Sequence, residues 1–528
     1  MIRVSGLRLP PDADPDQVRR AAARTLGVGV HRLGTWRLVR RSVDARRGSL
    51  AVVWTIDLEV PDEEAVLRRA GPGVARTPDA RYRPPQPGAA PLPHRPVIVG
   101  TGPAGLFAGL LLAEAGFRPI LLERGDPVED RVRAVARFWA SGDLDPESNV
   151  QFGEGGAGTF SDGKLTTRIQ DPRCAFVLEA MVQAGAPAEI AWSWQPHVGT
   201  DRLREVVRHL RERLLRLGAE VRFRHRVTDL VVAEDRIQGV VVGGGEAIPC
   251  EALVLAPGHS ARDTFEMLAR RGVDLQPKPF AVGARIEHLQ ETIDAARWHR
   301  WAGHPALGPA SYHLAWQAPS GRGCYTFCMC PGGQVVAACS DPGGVVTNGM
   351  SLHARNGRNG NAALVVQVGL EDFQEPSWQG AVDFQRRLER AALDLGGGDH
   401  RAPAQRVGDF LAHRPSTSFG RVHPTFSRGV RPSSLDEVLP EWVSAHLRQA
   451  IPALDRQMPG FGDPDAVLTA VETRTSSPVR IPRDAEGESS LRGLFPAGEG
   501  AGWAGGIVSA AVDGIRVAET ILRRFRPT

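Results

Sequence analysis

The residues in this chain best suited to chemistry are a set of glycines followed by an acid. Gly100, Gly102 and Gly105 alternate with Thr101, Pro103 and Ala104 in a G-x-G-x-x-G pattern, and Glu123 and Arg124 stand about 20 residues further on. That spacing suits a dinucleotide. The first glycine allows a tight turn, the second lets backbone approach a pyrophosphate, and the third lets a helix close on a strand. A helix start behind the turn offers unpaired N–H groups and the positive end of its dipole to the phosphates. Glu123 is placed for the ribose hydroxyls of an adenosine half, where its charge disfavours a 2′-phosphate.

The elements that must hold these residues follow from the apolar pattern. Residues 97–99 (VIV) read as a strand covered on both faces. A helix is expected over 103–115, stopped by Gly116, and a second strand over 119–122 leads to Glu123. A glycine triplet alone is no more than a surface turn, whereas strand, turn, helix, strand and acid in this order form a Rossmann-type unit. A later strand at 253–255 runs into Ala256 and Gly258. Near the far end, a short strand at 494–497 runs through Ala497 into Gly498 and Glu499, and a long helix begins near Gly505, Gly506 and Ile507. The GGGE at 243–246 has no helix behind it and reads as a hairpin turn.

The segment 493–524 resembles the late FAD-binding element of the two-dinucleotide-site flavoprotein superfamily. There a G-D or G-E pair binds the ribityl chain, and the following helix start faces the pyrimidine edge of the flavin. With QFGEGGAGTFSDGKLTTR (151–168), PHVGTD (196–201), KPFAVGARIEH (278–288), FCMCPGG (327–333) and ETRTSSPVRI (472–481), the chain resembles a family of uncharacterised bacterial FAD-dependent dehydrogenases over nearly its full length. The resemblance implies FAD as cofactor but brings no substrate with it. The reading adopted is non-covalent FAD serving a small organic substrate, with an external electron donor or acceptor and NAD(P)H as a donor from outside. No second strand–GxGxxG–helix unit provides a built-in nicotinamide domain.

Within the segment 151–168 the loop at 153–165 is the candidate to run along the pyrophosphate and the flavin ring. Gly155, Gly156, Ala157 and Gly158 would allow the close approach, with Thr159 and Asp162 as polar contacts and Lys164 beside phosphate or the reactive flavin edge. Residues 256–258 resemble the returning flavoprotein strand that ends A-T-G, with Pro257 in place of threonine.

Cys324, Cys328, Cys330 and Cys339 match no common metal signature, so no metal is expected. Period two puts Cys324, Thr326, Cys328 and Cys330 on one strand face before the turn at 331–333, a hairpin with small buried thiols. The sharper reading gives Cys328 and Cys330 a redox or substrate-lining role. With Lys164 they are the catalytic candidates, followed by His197, His288, Glu472 with Arg474, and Arg480 as acid–base or anion-binding groups.

The chain divides into a small ferredoxin-like α+β domain (1–70), a Pro/Arg-rich linker (71–95) and the first part of an FAD-binding domain (96–274). An inserted α+β substrate domain (275–471) precedes the returning second part (472–528), so the whole is an α/β fold with a discontinuous Rossmann-type domain. At 528 residues, 42% hydrophobic and 23% charged, the composition is that of an ordinary soluble protein. No membrane-length apolar run or signal peptide is seen, so a cytoplasmic location is expected. The net charge of +4 is carried by arginine, with only Lys164 and Lys278 as lysines.

This bias speaks against nucleic acid as a partner, and Arg37, Arg40, Arg41, Arg46 and Arg47 read as a solvated hairpin. It also draws attention to its exceptions: the two lysines, Tyr312, Tyr325 and Asn348. The leading reading is an FAD-dependent oxidoreductase. Flavin-assisted RNA modification and a flavin-bearing interaction or sensor protein without turnover are its rivals. The sequence sets no oligomeric state.

Overall fold

Val97 and Ile98 are fully buried, and that burial sets their strand, Val97–Val99, at the centre of a sheet. In the computed structural model, which describes residues 1–45, 49–79 and 81–527, this strand pairs in parallel with Ile120–Leu122 on one side and Leu253–Leu255 on the other. Glu220–Arg222 and Leu494–Pro496 complete five parallel strands. One edge of the sheet therefore comes from the far end of the chain, and the dinucleotide domain is discontinuous, as the sequence suggested. The helix Pro103–Glu114 has no charge before its last residue and is buried almost throughout, packed with the sheet and the helix Ile507–Arg524 in one core. A Cβ at Gly514 would sit 2.1 Å from the Ala104 carbonyl, so only glycine lets the two helices meet this closely.

The first domain is a four-stranded antiparallel sheet in the order Trp36–Asp44, Ala51–Leu58, Ile2–Leu9, Val74–Arg76. Its helix Pro15–Leu26 starts with a capping box formed by Asp14 and Gln17. The fourth strand lies in what the sequence presents as linker, so the domain extends to residue 76. A three-residue strand with two exposed side chains shows no alternation to read. The remaining linker is anchored at several points, His94 to Glu251 and Arg95 to Glu220 among them. Ala90–Pro91 pairs with Phe525–Arg526, and the Tyr82 hydroxyl donates to Glu519 at 2.8 Å.

The basic hairpin is less free than its sequence implies. Arg37 and Arg3 both bond the fully buried Asp57. The Arg41 backbone pairs with Trp192 and Trp194, which docks the domain on its neighbour. Arg46, Arg47 and Gly48 lie outside the described residues.

The inserted domain is a seven-stranded mixed sheet centred on Asn359–Val368, Phe280–Leu289 and Val467–Glu472. The helices Trp378–Gly396 and Glu441–Gln457 supply buried apolar residues to the same core. The cysteine segment departs from expectation. Gly323–Cys330 pairs with Ala315–Gln317 and Asn359–Val368, while Gln334–Ala337 pairs with Thr347–Met350, so the turn at 331–333 closes no hairpin between neighbours. The register also slips between Phe327 and Cys330, and Cys328 adopts φ 45°. Period two assumes an unbroken strand, and the bulge takes Cys328 off the face it would share with Cys324.

An ion triad joins the two large domains. Glu389, on the helix Trp378–Gly396, bonds Arg262 at 2.9 Å and Arg474 at 3.0 Å and accepts from Thr473 at 2.8 Å, all of it buried. Burial alone would raise the Glu389 carboxyl, but the two guanidinium groups outweigh it and hold the carboxyl well below the usual range. Glu389→Gln should destabilise the protein by about 3–5 kcal/mol, because it leaves two buried cations unpaired. The depressed acid adds stability above its unfolded value of about 4 and loses it as pH falls through the folded value. The gap in unfolding midpoint between wild type and variant should therefore narrow steadily in acid, and a gap independent of pH would contradict this role.

Candidate functional site

Arg131 builds the first wall. Its fully buried guanidinium, on the helix Val128–Ser141, donates to the carbonyls of Asn149 (2.9 Å), Val150 (3.0 Å), Gly153 (3.2 Å), Glu154 (2.6 Å) and Gly156 (2.9 Å). One cation thus holds a loop that has no regular structure of its own. A Cβ at Gly153 would lie 2.4 Å from Arg131 Cδ. Glu123 braces the same loop against the glycine turn. One carboxylate oxygen accepts from Thr101 N (2.9 Å) and Oγ1 (2.7 Å), the other from Gly125 N and Gly153 N (both 3.0 Å). These four bonds fix the carboxylate in place, and Glu123 itself lines the cavity described below. The side chain of Arg124 is tied to Glu147 and Asp263 and lies 4.0 Å over the Phe152 ring.

The three fingerprint glycines serve different ends. At Gly100, with φ 95°, a Cβ would lie 2.2 Å from the Ala256 carbonyl, and at Gly105 one would lie 1.9 Å from the Gly100 carbonyl. Protein packing explains both. At Gly102 the nearest atom to an added Cβ is Gly156 Cα at 3.8 Å, and at Gly258 and Gly505 nothing lies within 4 Å. Those glycines face open space, in a cavity of about 960 Å³.

The cradle forms one end of this cavity. Tyr325, Phe327, Cys328 and Glu472 of the inserted sheet and Asn348 of the two-stranded sheet beside it also line the cavity, together with the Gly498–Glu499 turn and the start of the helix Ile507–Arg524. The cofactor and catalytic residues read from the sequence converge here except Gly105, Gly155, Thr159 and Cys330, and of the acid–base and anion-binding candidates His197, His288 and Arg480 do not line it. Gly155 is needed for packing, since its Cβ would meet Thr159 Oγ1 at 2.2 Å.

Lys164 reaches the cavity with its Nζ buried, unbonded among the described residues and 3.9 Å from Asp162. Asp162 is already held by Arg355 through two bonds. Of the composition outliers, Tyr325 and Asn348 also line the cavity, while Tyr312 packs in the core against His288 and Phe461. His288 donates from Nε2 to the Phe461 carbonyl deep in that core and is not a site residue. His197 stacks on His353 behind the loop, and Arg480 bonds the Gly502 carbonyl. Glu472 and Arg474 do line the cavity, each bound to a buried opposite charge, Arg285 and Glu389.

Several groups carry no sequence signal because their partners are distant: Arg131, Glu154, Arg285 and His259. Burial raises Glu154 to about 7 and lowers His259 to about 3. Glu499, whose Oε1 lies 4.0 Å from His259 Nδ1, is raised by burial to about 7, partly offset by the charge of Lys278.

Residues 279–475 match the family model "FAD-dependent protein, C-terminal domain-like", 95–137 match an FAD binding domain, and 1–59 match a domain of unknown function. An uncharacterised protein of Clostridium beijerinckii is 46% identical over 99% of both chains. Among solved structures, a variant of the flavin-dependent brominase Bmp2 is 14% identical, covering 81% of this chain and 79% of its own with a TM-score of 0.36. L-amino acid deaminase from Proteus vulgaris is 9% identical, covering 84% and 94% with a TM-score of 0.35. The residues present fit FAD. The openings at Gly102, Gly258 and Gly505 form a cradle that added Cβ atoms would fill, and the helix start at Gly506 offers its free N–H groups to the same space.

Gly102 and Gly105 should therefore respond differently to alanine. Gly102 has φ −70° and ψ −178°, which any residue adopts, so Gly102→Ala should fold normally while FAD affinity falls about tenfold or more, some 1.4 kcal/mol. Gly105→Ala should cost about 1–3 kcal/mol of stability through overpacking. Equal FAD affinity in wild type and Gly102→Ala, measured by equilibrium binding, would place the cofactor elsewhere.

Proposed function

The chain belongs to one family with its Clostridium beijerinckii relative and is an FAD-dependent protein, and on that premise we propose that it is an oxidoreductase moving hydride between flavin and a small organic substrate. One observation carries the reading: a single cavity runs from the cofactor cradle to a polar wall supplied by a separate inserted sheet. Such a shared space brings a small molecule against a cofactor and shields both from water. FAD, when bound, supplies two-electron chemistry. The chain supplies binding, orientation and protons.

Lys164 contributes a compact ammonium with no hydrogen-bond partner among the described residues, and Asn348 and Glu472 add polar groups from the inserted domain and its returning edge. Glu472 is held in place by Arg285 at 3.1 Å and by Thr347 Oγ1 at 3.0 Å. Burial raises the Tyr325 phenol, so it remains a hydrogen-bond donor at neutral pH. Glu499, near 7, can hold or release a proton at its carboxylate under the same conditions. Reduced nicotinamide is the proposed external donor, binding transiently from solution.

Lys164→Ala should lower FAD affinity or turnover about tenfold, some 1.4 kcal/mol, with the fold intact. Lys164→Arg should restore only part of it, since a planar guanidinium is no substitute for a point charge in a tight loop. Unchanged affinity and turnover in the alanine variant would remove Lys164 from the site.

Glu499 makes a separate prediction for the apoprotein. Between about 4.3, the unfolded value, and 7, the folded chain keeps a proton that the unfolded chain has lost. Stability should fall as pH rises through that window, and Glu499→Gln should flatten the slope. The function itself is tested by anaerobic titration of the purified yellow protein with NADH, NADPH and a panel of organic substrates. Stoichiometric bleaching of the flavin by one of them, reversed by an acceptor, is expected. A flavin bleached only by light would overturn the reading in favour of a sensor.

A further inference from the structure

Two cysteines meet at the wall of the cavity that the inserted sheet provides. In an extended strand, residues i and i+2 lie about 6.6 Å apart at Cα, near the upper limit for a disulfide. The strand Gly323–Cys330 is not extended there. Its pairing with Asn359–Val368 slips between Phe327 and Cys330, and Cys328 takes φ 45°. A side chain other than glycine in that conformation is held there at a cost of about 1–3 kcal/mol, the kind of strain that collects at functional positions.

The result is asymmetric. Cys328 is partly exposed and lines the cavity, whereas Cys330 is fully buried behind it. The Cys330 thiol lies 3.4 Å from the Cys328 carbonyl. A Cβ on Gly349 would lie 2.8 Å from Cys330 Sγ, so the neighbouring strand closes the far side. The buried guanidinium of Arg285 donates to the Cys328 carbonyl at 3.1 Å and stands 4.0 Å from Cys330 Sγ.

We propose that Cys328 and Cys330 form a redox-active thiol pair that reduces small-molecule disulfides entering the cavity, with Cys328 as the attacking thiol and Cys330 as the resolving one. The Cys328 thiolate attacks one sulfur of the disulfide, forms a mixed disulfide and releases the first thiolate. Cys330 then loses its proton and attacks Cys328 Sγ, forming the Cys328–Cys330 bond and expelling the second thiolate. The two cysteine protons end on the two released thiols, and two electrons pass from the pair to the substrate.

The charges around the pair agree with these roles. Hydrogen bonding with the Cys330 side chain holds the Cys328 thiol below the ordinary thiol range against the opposing effect of burial, helped by the charges of Lys164 and Arg285. Cys330 is held well above it. An accessible thiolate attacks first, and the buried thiol follows. The proposal goes beyond hydride transfer and does not depend on which organic substrate the flavin serves.

The test uses the flavin-loaded protein, hydroxyethyl disulfide as probe, and mass spectrometry of non-reduced peptides. Wild type should yield a Cys328–Cys330 disulfide with two probe thiols released per pair, reversed by dithiothreitol. Cys330→Ser should stop at a mixed disulfide on Cys328 with one thiol released, and Cys328→Ser should leave Cys330 unmodified. The wild-type peptide is decisive even if a variant folds poorly. Probe attached at the half-exposed Cys174, with Cys328 and Cys330 still reduced, would overturn the proposal.

Discussion

The site depends first on where one guanidinium finds its hydrogen bonds. Arg131 is buried at full length, and its carbonyl acceptors all lie in the stretch 149–156. Burying a charge is tolerable only when its donors are matched, and the loop carbonyls are the match. The arrangement works in both directions. The loop cannot leave without exposing an unpaired cation to the core, and the cation cannot be removed without freeing the loop. Glu123 performs the complementary task from the other side, accepting N–H groups from the glycine turn and from Gly153. A pair of opposite charges, neither touching the other, thereby fixes two glycine-rich segments at a separation set by Gly102 and Gly156.

Around that cradle, the second domain is held by buried ions more than by apolar contact alone. Arg262, Glu389 and Arg474 come from the dinucleotide domain, the inserted domain and the returning chain respectively, and meet in one cluster. Arg285 and Glu472 repeat the device a few residues away, at the cavity wall. Ion pairs of this kind add little net stability over apolar packing, but they penalise any misplacement strongly. The geometry between cradle and wall is thus specified more sharply than hydrophobic burial would specify it.

What could be read from the sequence was what is local. The strand, glycine turn and helix at 97–115 declare themselves within twenty residues, and the glycines at 498, 505 and 506 do so by their density. Lys164, Tyr325 and Asn348 stood out against an arginine-rich composition and proved to line one cavity. The same argument misled at Tyr312, which the core absorbed. Arg131 is one arginine among many, and its acceptors are backbone atoms that carry no side-chain signature. The bulge at Cys328 is likewise a backbone event, invisible to a period-two reading that assumes regular pleating. The spacing located Glu123 at the cavity, but its four bonds to the glycine turn and the loop could not be read from it, because three of their donors are backbone N–H groups.

The order of strands in the parallel sheet also bears on how the protein is made. The cradle takes its first half from residues near 100 and 155 and its second from residues near 500. At about 5–20 residues per second, a ribosome needs roughly 20–80 s to deliver the intervening chain of about 400 residues. Through that interval the apolar helix Pro103–Glu114 lacks the partner Ile507–Arg524 that covers it, and from its own synthesis onward the strand Leu253–Leu255 has an open edge. Such a nascent surface is the kind that chaperones shield. Cofactor loading must then be a late event, following synthesis of the residues near 500 rather than that of the glycine turn.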